Sequence, residues 1–360
     1  MQNIKDIADR WNARSSNLEL YRIVCMFLIV AHHYSQFYYI SDLPFESKTI
    51  FLNIFGMWGK TGINCFLLIT GYFMCKSNIS IRKFVKLMLW IYVYKISIYA
   101  IFLFTGHETI SVLRLIKLIM PVWDFSNNFV SCFIGFWLTI PFWNILLNNM
   151  TKKQHQLLMI LLLGMYTFLG SVPTFKVEFN YVSWFGVLYL IASYIRLYPN
   201  NILENRKLWG WVSLVTLVLA IFSGFCLNYL KNGTMQFLVT DSNKFFAVVV
   251  AISSFLWFKN LNIPHNKIIN AIGGSTFGVL LIHANSDAMR HWLWKDTVDC
   301  IGHYSLPLPH LILFSIGVVF AVFCTCIIID QIRIKLLEES FFKWYDKKPR
   351  FQKLLSYLSK

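Results

Sequence analysis

The chain has 360 residues, 57% of them hydrophobic and only 14% charged, with a mean hydropathy of +0.54. Soluble domains carry roughly 25% charged residues, so this composition excludes a soluble enzyme, a coiled coil, a collagen and a disordered chain, and fits a polytopic membrane protein. The net charge of +16 would suggest a nucleic-acid partner in a soluble protein; here the basic residues must first be placed around the spans.

In chain order, ten apolar segments are expected to form the spanning helices of an all-α bundle. They cover 20–40, 50–75, 84–105, 129–148, 155–172, 181–198, 208–229, 245–259, 268–285 and 308–330. The polar start has acidic residues and no small-residue cleavage site follows the first segment, so that segment is expected to stay in the protein. Gly62, Gly71 and Pro141 interrupt spans, and such breaks need neighbouring helices to satisfy the backbone. The eight cysteines lie mostly in apolar runs without a CxxC pair, which indicates neither a disulfide framework nor a zinc site. No metal-ligand spacing is present.

Ten crossings leave both termini on one side. With that side taken as cytoplasmic, 23 of the 33 Lys and Arg fall inside and 8 outside, as the positive-inside rule requires. Topology then explains the basic composition, and nucleic acid drops out as a partner. Two regions are expected: a transmembrane domain, 1–330, and a basic amphipathic tail, 331–360. The tail is expected to lie on the inner leaflet, attracted by anionic membrane lipid.

Ionisable residues inside spans are costly there and tend to be functional. Arg22, His32 and His33 lie in the first segment, Lys60 and Thr70 in the second, Lys86 and Lys95 in the third, and His283 at the outer end of the ninth. No Asp or Glu occupies the middle of a span, which counts against a proton-coupled transporter. Arg22 and His33 are eleven residues apart, only ~20° beyond three full helical turns and ~16 Å along the axis. They share a face, with the cation near the cytoplasmic surface and the imidazole deeper; His32 projects ~100° away. Such a face suits an anionic group held at the membrane edge while its reactive end reaches His33. The competing reading has Arg22 snorkelling to lipid phosphates and His33 satisfying a backbone carbonyl.

The first segment, an Arg, ten intervening residues and a His, resembles acyltransferase family 3, the polytopic O-acyltransferases of bacterial envelopes. Phe66-Leu67-Leu68-Ile69-Thr70-Gly71 is similar to that family's Phe-Phe-x-x-Ser-Gly, with Leu67 for the second Phe and Thr70 for the Ser. NISIRKFVKLMLWIY resembles its basic stretch, with Arg82, Lys83 and Lys86. FVSCFIGFWLTIPFWN, SWFGVLYLIASYIRLY and STFGVLLIHAN resemble later helices, Leu280 standing where Tyr is usual. The likeness runs from about Asn17 to about Ile328.

The resemblance implies a multi-pass enzyme of the bacterial plasma (inner) membrane, stand-alone in type, that moves an acyl group, usually acetyl, from cytoplasmic acyl-coenzyme A to a hydroxyl of an envelope glycan or its lipid-linked precursor. No permanently bound cofactor is implied; acetyl-CoA is a donor substrate. In that reading His33 is the catalytic base with Arg22 beside it, and Arg82, Lys83 and Lys86 meet the coenzyme A phosphates. His32, Thr70, Gly71 and His283 are supporting candidates. Trp123, Asp124, Trp184, Trp292 and Trp294 are placed in external loops, as sugar platforms or as an interfacial belt. Two other functions compete: a polysaccharide or lipid transporter without chemistry, and an acyltransferase for a small-molecule or lipid acceptor.

Overall fold

The computed structural model describes residues 15–347, leaving out 39–42, 78–79, 121, 126–127, 179 and 231–234. Lys5, Arg10, Arg14 and Lys231, all used in the charge count, and the tail beyond residue 347 lie outside the described residues. Among the described residues the protein is helical, with no strand.

Each of the ten apolar segments is helical, but not always as one unbroken rod. The first is α1, Ser16–Gln36. The second divides into α2, Ser47–Gly56, and α3, Gly59–Met74. Then follow α4, Ile81–Phe104; a short α5, Val112–Ile119; and α6, Phe129–Asn149. Helix α7, Lys152–Leu163, continues as a π-helical turn over Gly164–Leu169. Next come α8, Tyr181–Leu197, α9, Arg206–Leu230, α10, Phe245–Lys259, and α11, Lys267–His283. Short α12, Asp287–His291, and α13, Cys300–His303, lead into α14, Leu308–Arg333. A π-helical turn, Ile334–Glu338, joins α14 to α15, Glu339–Asp346.

Several starts are written locally. Ser80, Asn128, Asn180 and Asn266 each accept backbone N–H bonds at their helix N-termini. Thr151 and Gln154 form a capping box.

The helices sort into two layers. Helix α1 is central, packing against α3, α11, α2, α14 and α10, and α3 packs in turn on α8 and α10. Helix α8 is buried nearly all round, with Trp184, Phe185, Leu188, Tyr189 and Leu190 in the core, as expected of a helix apolar on every side. Buried amides stitch this layer. Asn64 donates to the carbonyls of Ser242 and Ala247 and accepts from Trp184 Nε1; Asn17 closes the C-terminus of α10 through its last carbonyls. Helices α4, α6, α9 and α14 lie outside, with most of their residues not fully buried.

That layering corrects the span count. Among the described residues, four helices are long and apolar enough to cross a membrane, or five if the bent pair of α11 with 287–303 is one span. These four are the outer, lipid-suited helices. The inner segments fall short for physical reasons: α8, α10 and α11 have 17, 15 and 17 residues, the second segment is broken, and α1 carries Glu19, Arg22, His32 and His33. The outward-loop placement of Trp184 and Trp294 is also corrected, since both are fully buried core residues.

Candidate active site

Helices α1 and α11 bring together two histidines that are 250 residues apart in sequence. His33 Nδ1 lies 2.9 Å from His283 Nε2, and His283 Nδ1 lies 2.6 Å from the Val279 carbonyl oxygen. The carbonyl can only accept, so His283 carries its proton on Nδ1 and its Nε2 offers a lone pair. With both rings neutral, His33 must donate from Nδ1. The relay therefore leaves His33 Nε2 as the unprotonated nitrogen, the form a general base needs. His283 is fully buried and His33 partly so. The positive charges of Arg290 and Lys60 reach His33; Lys60 Nζ donates to Tyr181 OH at 2.9 Å, and Arg290 pairs with Asp287.

His32 faces another way. Its Nδ1 donates to the Gly56 carbonyl at 2.7 Å, at the break between α2 and α3. Backbone freed at such a break needs a partner where water is scarce, and His32 supplies it. A Cβ on Gly59 would overlap the His32 ring, so the second break residue is also shaped by this side chain.

The other candidates are dispersed. Arg22 pairs with Glu19 on α1 at 3.2 Å. Thr70 spends its hydroxyl on the Phe66 carbonyl of its own helix, 2.9 Å away. A Cβ on Gly71 would stand 2.9 Å from Ala192 Cβ and 3.2 Å from Tyr189 Cα, so Gly71 permits the close approach of α3 and α8. Asn144 accepts from Tyr189 OH and donates to the Met74 carbonyl. Lys95 is tied to the carbonyls of Lys117 and Met120.

Arg82, Lys83 and Lys86 do converge, lining a cavity of about 310 Å³ with Glu338, Glu339 and Phe342. The chain's own C-terminal segment answers their charge. Arg82 pairs with Asp346 and stacks over Phe342 at 4.6 Å; Lys86 pairs with Glu338; Lys83 Nζ donates to Ser77 at 2.7 Å. An adjoining cavity of about 250 Å³ is lined by Lys86, Trp90, Gln331, Arg333 and Glu338 among others. Beneath it, buried Asp330 accepts from Trp90 Nε1, Tyr94 OH and Arg333 Nε at 2.9, 2.7 and 2.8 Å. Sequence reasoning missed this network. Its only local signals were Trp90 and Tyr94 at i, i+4 and Asp330 and Arg333 at i, i+3.

The described residues define an all-helical polytopic membrane protein with a hydrogen-bonded histidine pair on its central helices. The family model described as an acyltransferase domain, acyltransferase family 3, matches residues 15–330. The chain belongs to that family and is a membrane acyltransferase. No curated protein and no solved structure matches it.

Proposed function

We propose that the protein transfers an acyl group, acetyl in the first instance, from cytoplasmic acyl-coenzyme A to a hydroxyl of a cell-envelope sugar. The observation that carries this reading is the relay from His33 through His283 to Val279 in a chain of this family. His33 Nε2 takes the proton of the sugar hydroxyl as its oxygen attacks the thioester carbonyl. The tetrahedral intermediate then collapses, the C–S bond breaks, and the coenzyme A thiolate leaves with the proton from the imidazolium. Arg22, eleven residues toward the cytoplasmic end of the same helix, holds the donor at the membrane edge. Arg82, Lys83 and Lys86 meet its phosphates, since guanidinium and ammonium groups suit phosphate. In this reading the ten helical segments all cross or enter the bilayer of the bacterial inner membrane, with both termini cytoplasmic.

The test uses membranes containing the protein, acetyl-coenzyme A with a radiolabelled acetyl group, and lipid-linked glycan precursor. His33→Ala should lower acetyl transfer by about 10²–10⁴-fold while the amount of inserted protein stays the same. Transfer that survives the change would overturn the assignment of His33 as base.

A further inference from the structure

The second cavity carries a feature that the acyl-transfer reading does not use. Arg333 lines it, only 5% exposed. Its Nε is held by Asp330 and its Nη1 by Glu338, both at 2.8 Å, and its guanidinium stacks 4.8 Å from the Trp90 ring centre. Its Nη2 is buried with no hydrogen-bond partner. A buried donor on a cation left without an acceptor is costly, and here it belongs to a side chain that walls a cavity. Lys86 lines both cavities, and Glu338 bridges Lys86 and Arg333. Arg333, Gln331 and Glu338 all lie beyond the segment that matches the family.

We propose that Arg333 and Lys86 form a phosphate-binding site beneath α15, closed in this structure by Glu338. Glu338 takes the place of a ligand oxygen. With it withdrawn, Arg333 and Lys86 stand against Asp330 alone, and the planar fork of Arg333 offers two donors to one phosphate. Glu338 ends the π-helical turn Ile334–Glu338. Such turns recur at functional sites, and shifting this one would carry α15 off Arg82 as well. The phosphate belongs either to the acyl donor, which rests on the acyl-transfer reading above, or to the headgroup of an anionic lipid in the facing leaflet.

Full-length protein in neutral phosphatidylcholine nanodiscs, titrated calorimetrically with coenzyme A, tests the first source. Melting temperature in nanodiscs with and without phosphatidylglycerol tests the second. Glu338→Gln removes the competing carboxylate and should tighten the responding phosphate source at least about threefold; Lys86→Gln should weaken it about tenfold, the loss of one charge-assisted contact. Arg333→Gln leaves Asp330 buried without its cation and can fail to fold, so the Lys86 and Glu338 variants, which leave the Asp330–Arg333 pair in place, decide. A response to coenzyme A assigns the donor, and a response to phosphatidylglycerol assigns the lipid. Indifference of both sources to both variants overturns the site. His33→Ala separates the two ideas, because it should lose transfer and keep phosphate binding. Binding that responds as stated without any transfer by the wild type sinks the acyl-transfer reading alone.

Discussion

At the scale of single residues, two adjacent histidines divide chemistry from architecture. His33 reaches His283, whereas His32 is committed to the Gly56 carbonyl. In the proposed mechanism His283 is a positioning residue, because its bond to His33 fixes which His33 nitrogen keeps its proton. His283→Ala should therefore lower kcat at least about tenfold, as expected when a catalytic histidine loses the group that holds its tautomer, with little change in donor KM. Activity of the wild type should fall as pH drops, since a protonated pair has no lone pair left to accept the hydroxyl proton. His283→Ala should move that profile; a merely structural His283 would cost protein yield and leave the profile in place. His32→Ala should cost stability by about 1 kcal/mol, one hydrogen bond, with catalysis per folded molecule near wild type. The reverse pattern, with His32→Ala inactive and His283→Ala active, would reassign the base. Helical spacing made the divergence of His32 from His33 legible in the sequence. His283 could be suspected there as an intramembrane histidine, but its partnership could not, because it joins positions 250 apart.

At the scale of elements, the apolar runs marked all ten helical segments, and side-chain caps such as Ser80, Asn128 and Asn180 fixed several of their starts. The break at Met57 and Trp58 was not legible, because no polar side chain stands between Ile54 and Gly59 and Lys60 reads as an ionisable residue within the span. It becomes intelligible only with His32 in place to donate to the stranded Gly56 carbonyl. The closure of the basic cluster was hidden for a related reason: Glu338 and Asp346 lie in a tail that reads as generic basic surface. Thr70-Gly71, legible as a motif, turns out to serve packing, with Gly71 facing the backbone of Tyr189. Gly71→Val should destabilise the protein by about 1–3 kcal/mol through overpacking, lowering the melting temperature in detergent. Gly164→Ala is the control, since a Cβ there meets nothing within 4 Å. Equal melting temperatures for the two variants would show that α3 and α8 do not need this close approach.

At the scale of the whole molecule, the two-layer arrangement explains how a chain can hold ten helical segments with only four or five long apolar rods. The outer helices meet lipid and must be long and apolar. The central ones, such as α1, α3 and α8, are covered mostly by other helices, so they can be short, broken or polar where amides and imidazoles are satisfied by neighbours. In the proposed topology the charge bias sets which end faces which leaflet. Lys152 and Lys153 open α7, while the loop after α13 holds Ser305, and all three positions are exposed. If the positive-inside bias sets orientation, a single cysteine at Lys153 in a cysteine-free background should resist an impermeant thiol reagent in intact cells, and one at Ser305 should react. All eight native cysteines are free thiols and Cys226 is exposed, so the background must lack them. The equivalent positions Ser126 and Lys348 lie outside the described residues but follow the same expectation, reactive and protected in turn. Labelling at Lys153 with protection at Ser305 would invert the molecule. Arg22 and the Arg82–Lys83–Lys86 cluster would then face away from cytoplasmic acyl-coenzyme A, and the donor side of the proposal would fail even if His33 remained essential.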